Sequence, residues 1–150
     1  KHAWRKGLIK IIFAALLLLS SGVSANNYQE EVDKFFELYA DEKTSDAVDS
    51  IYASNKYVSS IPDQVKQIKT QLSSLDDLVG EINFINKVSD YKVGELFVHV
   101  TYLVTYDRQP IRFEFQFFKV KEGWRIYSMS FDDNIDEDIK ELARKAALKN

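Results

Sequence analysis

The 150-residue chain contains no cysteine and only two prolines, five glycines and one methionine. The absence of cysteine excludes disulfide bonds, a thiol nucleophile and thiolate metal ligands. The sequence also lacks internal repeats, low-complexity tracts and a recognisable linker between domains. These absences leave an ordinary folded domain that depends on its apolar core for stability.

A cationic and apolar segment opens the sequence. Residues 8–19 form an apolar run surrounded by Lys1, Arg5, Lys6 and Lys10, and small residues follow up to Ala25. This pattern predicts a secretory signal peptide, residues 1–25, with cleavage after Ala25. The alternative is an uncleaved membrane anchor, but the run is shorter than the roughly 20 residues that span a bilayer. We therefore expect a secreted or periplasmic protein, and the lack of disulfides is compatible with a bacterial periplasm.

Residues 26–150 have the length of one domain with a single core. Loss of residues 1–25 removes four Lys and Arg residues and no acid, so the formal net charge of −3 becomes more negative. Nucleic-acid binding depends on cationic contacts with phosphate, and an anionic membrane surface attracts basic segments. We therefore expect no nucleic-acid partner and no membrane contact after signal cleavage.

The stretch from Glu95 to Asp133 alternates apolar and polar residues, which is typical of three antiparallel strands joined by two tight turns. A two-residue Arg108-Gln109 turn pairs Tyr102 with Phe115 in the first hairpin. The predicted buried face consists of Val98, Val100, Tyr102, Val104, Phe113, Phe115, Phe117, Tyr127, Met129 and Phe131. Such aromatic residues would be the largest single contribution to stability.

The second turn is predicted as the three-residue loop Lys121-Glu122-Gly123, with glycine at the left-handed position. This loop pairs Phe117 with Tyr127 and Phe118 with Ile126. It also places Arg112 opposite Asp132 on the polar face, where the two side chains would form an ion pair.

Helical periodicity precedes and follows these strands. The apolar spacing predicts a helix from Tyr28 to Tyr39 capped by Asn26 or Asn27, a second helix through Val48 and Tyr52, and a third near Ser60. A further strand is predicted between Gly80 and Val88, with Ser89 to Gly94 turning back. The last helix, residues 136–148, is predicted to start at an Asn134 cap.

Helices followed by an antiparallel sheet give an α+β fold, with N-terminal helices packed on a bent sheet and an extra C-terminal helix. From about Tyr28 to Asp133 the chain resembles the nuclear-transport-factor-2-like (NTF2-like) superfamily, a cystatin-like α+β cone. The residues that carry the resemblance are Tyr102, Tyr106, Pro110, Phe113, Phe115, Phe117, Gly123, Trp124, Phe131, Asp132 and Asp133. The chain is similar to the small exported members of that superfamily whose function is uncharacterised.

The resemblance implies a pocket at the open end of the cone, suited to a small hydrophobic ligand. We expect Tyr39, Tyr52, Tyr102 and Tyr106 to line it, although core aromatics whose hydroxyls reach the rim explain the same pattern. Some relatives perform acid/base chemistry in this pocket, but none of their catalytic positions maps onto this sequence.

The sequence offers no convincing candidate for a catalytic residue or a metal ligand. His99 lies beside Thr101 on the face opposite the core, as a surface or interface residue does. The acids from Asp132 to Asp138 begin like a calcium loop but have Glu137 where the tight turn needs glycine. We therefore predict no catalytic residue, no metal site and no cofactor.

The second face of the sheet carries a predicted apolar patch, which often marks an interface. Its members are Phe97, Phe118, Val120, Trp124 and Ile126. One hypothesis is a homodimer through the sheet; the other is that the C-terminal helix covers the patch through Ile139, Leu142 and Ala146.

The resulting functional hypothesis is an exported, non-catalytic binding or protein-interaction module. The alternative is a small-molecule isomerase or dehydratase that uses a pocket carboxylate. A structural part of an envelope assembly is a third hypothesis.

Overall fold

The computed structural model describes residues 27–149, and the predicted signal peptide lies outside the described residues. These residues form an α+β fold, as predicted, with N-terminal helices on one face of a four-stranded antiparallel sheet and a C-terminal helix beside the other face. The helices are α1 (Tyr28–Ala40), α2 (Thr44–Tyr52), α3 (Pro62–Ser73), α4 (Leu75–Val79) and α5 (Asp136–Ala147), with a 3₁₀ turn at Val58–Ser60. The strands, in spatial and chain order, are β1 (Ile82–Val93), β2 (Phe97–Tyr106), β3 (Pro110–Val120) and β4 (Gly123–Asp132).

Helix α1 packs on the sheet as its periodicity predicts. The Asn27 side chain accepts a hydrogen bond from the Gln29 backbone N–H at 3.0 Å, which confirms the predicted N-cap. The buried residues of α1 are Tyr28, Val32, Phe35, Phe36 and Tyr39. Their spacing puts every one on the side that faces the sheet, where they form one continuous core with the even-numbered residues of β2.

The first hairpin is tied to the end of α4, and this changes the predicted register. The turn is Asp107-Arg108, whose backbone N–H groups donate to the carbonyls of Glu81 and Val79 at 3.0 Å each. Tyr102 therefore pairs with Phe113, two residues from the predicted partner. Because side chains alternate with a period of two, the shift leaves every residue on its predicted face.

The second hairpin contains a β-bulge that the sequence pattern does not predict. From Arg112 opposite Asp132 to Gln116 opposite Ser128 the predicted register is confirmed. It then moves by one residue, so that Phe117 pairs with Ile126. The predicted three-residue loop and the predicted pairs Phe117–Tyr127 and Phe118–Ile126 are therefore wrong; Phe118 pairs with Arg125, and Val120 pairs with Gly123.

The loop after α2 holds this bulge in place. Ile126 donates its backbone N–H to the Ser54 hydroxyl, and its carbonyl accepts from the Asn55 side chain, each at 3.0 Å. Ile126 is consequently 1% exposed in the core, whereas Tyr127 points outward and is 66% exposed. One extra residue has exchanged the two faces for this end of β4.

One strand boundary and one helix cap also differ from the predicted ones. Strand β1 continues to Val93, through the segment predicted to turn back at Ser89, because a register shift between Lys87 and Ser89 absorbs Val88. Helix α5 starts at Asp136 without a side-chain cap; the Asn134 backbone N–H instead donates to the Asp132 carboxylate at 3.0 Å.

Candidate functional site

Aromatic side chains fill the space between α1 and the sheet. Phe35 meets Phe115 edge-on with ring centroids 5.3 Å apart, and Phe36 meets Phe113 at 5.5 Å. Phe35, Phe113, Phe115 and Phe117 are fully buried. This part of the cone is therefore a packed core. Large aromatic residues at alternate strand positions favour such packing.

The four tyrosines predicted to line a pocket are buried in that core. The Tyr39 and Tyr106 hydroxyls lie 2.8 Å apart and bond to each other. The Tyr102 hydroxyl accepts a hydrogen bond from Gln29 at 2.8 Å, and Tyr52 is enclosed on α2. Three of the four hydroxyls are thus used within the protein, and only Tyr39 borders the rim cavity described below.

The enclosure of the Tyr39–Tyr106 pair opposes ionisation of either phenol. Burial raises the pKa of Tyr39 to about 12 and raises the pKa of Tyr106 as well, with the bond from Tyr39 adding to the latter. A folded-state pKa above the unfolded value stabilises the fold at lower pH, and this stabilisation is lost as the pH rises past the unfolded value of about 10.

We therefore expect alkaline destabilisation that depends on these two residues. When the pH rises from 8 to 11, the free energy of unfolding should fall by about 1.4 kcal/mol for each of these tyrosines. Urea unfolding of the wild type and of the Tyr39→Phe/Tyr106→Phe variant at both pH values measures the difference. An equal loss in both proteins would contradict the assignment.

The cavity at the rim has a volume of about 440 Å³ and is lined by Tyr39, Ala40, Glu42, Asp76, Gly80, Glu81 and Ile82. Loss of hydration raises the pKa of Asp76, and Glu42 and Asp77 add to the shift. Asp76 nevertheless remains solvent-exposed, as does Asp46, which lies in the first turn of α2 outside this cavity. Neither carboxylate has the apolar enclosure that a catalytic acid or base of this kind requires.

A second concavity, the outer groove, lies between α5 and the face of the sheet that points away from the core. Its volume is about 370 Å³. Its lining includes the apolar residues Val88, Leu103, Ile135, Ile139 and Leu142, and also Tyr102, whose side chain is otherwise buried in the core. Ile139 and Leu142 remain exposed, so α5 leaves its apolar stripe open to the groove instead of closing on the sheet.

Arg112 connects α5 to the sheet at the border of the outer groove. Its guanidinium contacts Asp132 at 3.0 Å, Glu114 at 3.4 Å and also Asp138 of α5. The Arg112–Asp132 pair confirms the cross-strand contact predicted from register. Three carboxylates around one largely buried guanidinium fix the N-terminal end of α5, while its apolar stripe stays uncovered.

A row of polar side chains crosses the outer face next to this cluster. Gln116 donates to His99 Nδ1 at 2.9 Å and accepts from the Ser128 hydroxyl at 2.9 Å. His99 Nε2 lies 3.6 Å from Glu114. His99 therefore occupies the outer face, as predicted, inside a network that satisfies its ring without facing a closed pocket.

The predicted outer apolar patch is smaller than expected. Phe97 and Phe118 remain on the outer face, where Tyr127 joins them at 5.7 and 6.4 Å between ring centroids. Trp124 instead meets Tyr28 edge-on at 5.1 Å on the core side, and Ile126 is in the core, because of the bulge in β4. Val120 lies half-buried at the end of β3.

Helix α5 lies beside Leu103 and Arg112, at the other end of the outer face from Phe97. The hypothesis that α5 covers the predicted patch is therefore wrong. Two signals point to the outer groove in the sequence alone: Leu103 is an apolar residue among the polar positions of β2, and α5 is amphipathic without a partner.

Within residues 27–149 no three His, Cys, Asp or Glu side chains are arranged to hold a metal ion. In the same range no helix combines the length and the apolar character that a membrane crossing requires.

The cone of helices on a curved four-stranded sheet defines an NTF2-like fold. A crystal structure of a candidate NTF2-like transpeptidase from Campylobacter jejuni is similar, with a TM-score of 0.50 and 14% identity over 67% of this chain and 97% of that chain. At this identity the similarity concerns the fold alone. Neither a model of a protein family nor a curated protein sequence matches this chain.

Proposed function

We propose that the chain is an exported, non-catalytic binding module whose ligand site is the outer groove. The observation that carries this proposal is the contrast between the aromatic-filled interior and the groove of about 370 Å³ on the outer face. The proposed export rests on the signal-peptide pattern of residues 1–25.

An enzymatic role has less support. Isomerases and dehydratases of this fold type need an enclosed carboxylate or histidine, whereas Asp76 is exposed and His99 is engaged on an open face. Transpeptidation needs an activated serine or cysteine. The chain has no cysteine, and Ser128 donates its hydroxyl hydrogen to Gln116 and not to His99.

The groove's lining indicates the class of ligand. Apolar side chains from both the sheet and α5 face the space. The charged groups at its border are paired with one another, Arg112 with Glu114 and Asp138, and Lys145 with Glu141. A small neutral molecule gains from apolar burial there without having to displace an ion pair. We therefore propose a small, largely apolar ligand.

Fluorescence of the neutral probe N-phenyl-1-naphthylamine tests this proposal. The probe should bind the wild type, and Leu103→Asp should weaken binding by about tenfold or more because a carboxylate would replace apolar groove surface. Leu96→Asp is the matched control, since Leu96 is exposed and lies outside the groove. Failure of the wild type to bind, or equal weakening by both variants, would overturn the proposal.

A further inference from the structure

Strand β1 is a long edge strand that pairs on one side only. It runs for 12 residues and has β2 as its single neighbour in the sheet. Within residues 27–149, no hydrogen bond outside the β1–β2 ladder reaches the backbone of residues 83–93. The outward row of peptide groups in β1 is thus open to another strand.

Large apolar side chains accompany this open edge. Phe84 is 75% exposed, Tyr91 70%, Val88 58% and Val93 57%. Edge strands that remain solitary are usually short or carry proline, lysine, a bulge or inward-pointing charges. Strand β1 is long and has no proline. It does have a bulge at Val88 and three charges on its core-facing side, Lys87, Asp90 and Lys92, but these charges are placed so that they complement those of a second copy.

We propose that β1 pairs antiparallel with β1 of a second copy of this chain, in the register that places Lys87 opposite the partner's Asp90. Each protomer then contributes four strands to one continuous eight-stranded sheet.

The faces of β1 agree with this register. Opposite the core side of β2 stand Ile85, Lys87, Asp90 and Lys92; opposite its outer side stand Phe84, Asn86, Ser89, Tyr91 and Val93, with Val88 as the extra residue of the bulge. When the segment from Phe84 to Val93 pairs with itself, each core-face residue meets a core-face residue and each outer-face residue meets an outer-face residue. Shifting the register by one residue destroys this match.

The same register is complementary in charge and in polarity. Lys87 and Asp90 already lie 3.1 Å apart within one chain. At the two-fold axis they would form a ring of four alternating charges with the partner's Asp90 and the partner's Lys87. At the ends of the paired segment, Phe84 would lie opposite the partner's Val93. This self-complementarity favours a second copy over an unrelated extended peptide.

The pairing also concerns the outer groove. Val88 and Ser89 line the groove and stand at the centre of the paired segment, so the partner's Val88 would extend the apolar wall of each groove. This consequence rests on the proposed function of the groove, whereas the pairing itself does not.

Charge exchange between protomers tests the proposal. Analytical ultracentrifugation at tens of micromolar should show a wild-type dimer. Lys87→Glu and Asp90→Lys each place like charges opposite each other twice, so each should raise the dimer dissociation constant by about tenfold or more. An equimolar mixture of these two variants should recover the dimer, because every pair across the axis is then of opposite charge.

Three further variants keep the test decisive if a charge variant loses its fold. Val93→Asp should weaken the dimer, whereas Leu96→Asp, at an exposed position outside β1, should not. A monomeric wild type, or a dimer that Tyr127→Ser dissociates and Val93→Asp leaves intact, would overturn the pairing. Probe binding by a monomeric wild type would show that the groove proposal survives without the dimer.

Discussion

Replacement of Phe115 by alanine lowers the free energy of unfolding by about 3–5 kcal/mol, the largest loss that we expect from a single truncation here. Phe115 is fully buried and packs against Phe35, Phe36 and Tyr102 at 5.3, 5.7 and 6.3 Å between ring centroids. Removal of the ring takes away its contacts with all three aromatic neighbours and leaves a cavity where α1 meets the sheet.

Urea unfolding at pH 7 measures this loss, with Phe84→Ala as the matched control. Phe84 is highly exposed, so its truncation should change stability by less than about 1 kcal/mol if the variant is compared as a monomer. If Phe115→Ala cost no more than Phe84→Ala, the cone interior would not be the packed core described above.

Truncation of Ile126 should lower the free energy of unfolding much more than truncation of its neighbour Tyr127. Ile126→Ala should cost about 2–5 kcal/mol because the side chain is buried in the core. Tyr127→Ala should cost no more than about 1 kcal/mol, since that ring contacts only the outer-face residues Phe97 and Phe118 among aromatic neighbours. The predicted register without the bulge gives the reverse order.

The comparison is made by urea unfolding of both variants under the same conditions. A larger loss of unfolding free energy for Tyr127→Ala than for Ile126→Ala would show that β4 has no bulge. Trp124 and Ile126 would then belong to the outer patch, as the sequence pattern predicts.

Much of the fold can be predicted from local sequence patterns. The helical spacing of Tyr28, Val32, Phe35, Phe36 and Tyr39 identifies the buried side of α1, and alternation identifies the core face of β2 and β3. These signals are local because each depends only on the period of one element.

The two β-bulges cannot be predicted from local sequence patterns. The extra residue in β4, Tyr127, is not glycine or proline, and the backbone of the adjacent Ile126 is held by Ser54 and Asn55, 72 and 71 residues away in the chain. The extra residue Val88 in β1 is equally inconspicuous in the sequence. A single inserted residue reverses the facing of everything beyond it, so alternation alone misplaces Trp124, Ile126 and Tyr127.

The candidate site was predictable only in its parts. Leu103 and the amphipathic stripe of α5 each signal an apolar surface without an obvious cover. Arg112 brings α5 close to Leu103. Its pairing with Asp132 follows from strand register, but its contact with Asp138 can be known only once the position of α5 is known. The four tyrosines were misleading because a phenol at the rim of an open pocket and one inside a closed core produce the same pattern.

We propose that this NTF2-like fold binds its ligand outside the cone, in the outer groove. The decisive experiment is nuclear magnetic resonance of the ¹⁵N-labelled protein titrated with N-phenyl-1-naphthylamine. We predict amide shift changes concentrated at Val88, Thr101, Leu103, Ile139 and Leu142, which border the groove. Changes concentrated instead at Tyr39, Tyr52 and Tyr106, with the groove residues unaffected, would contradict it.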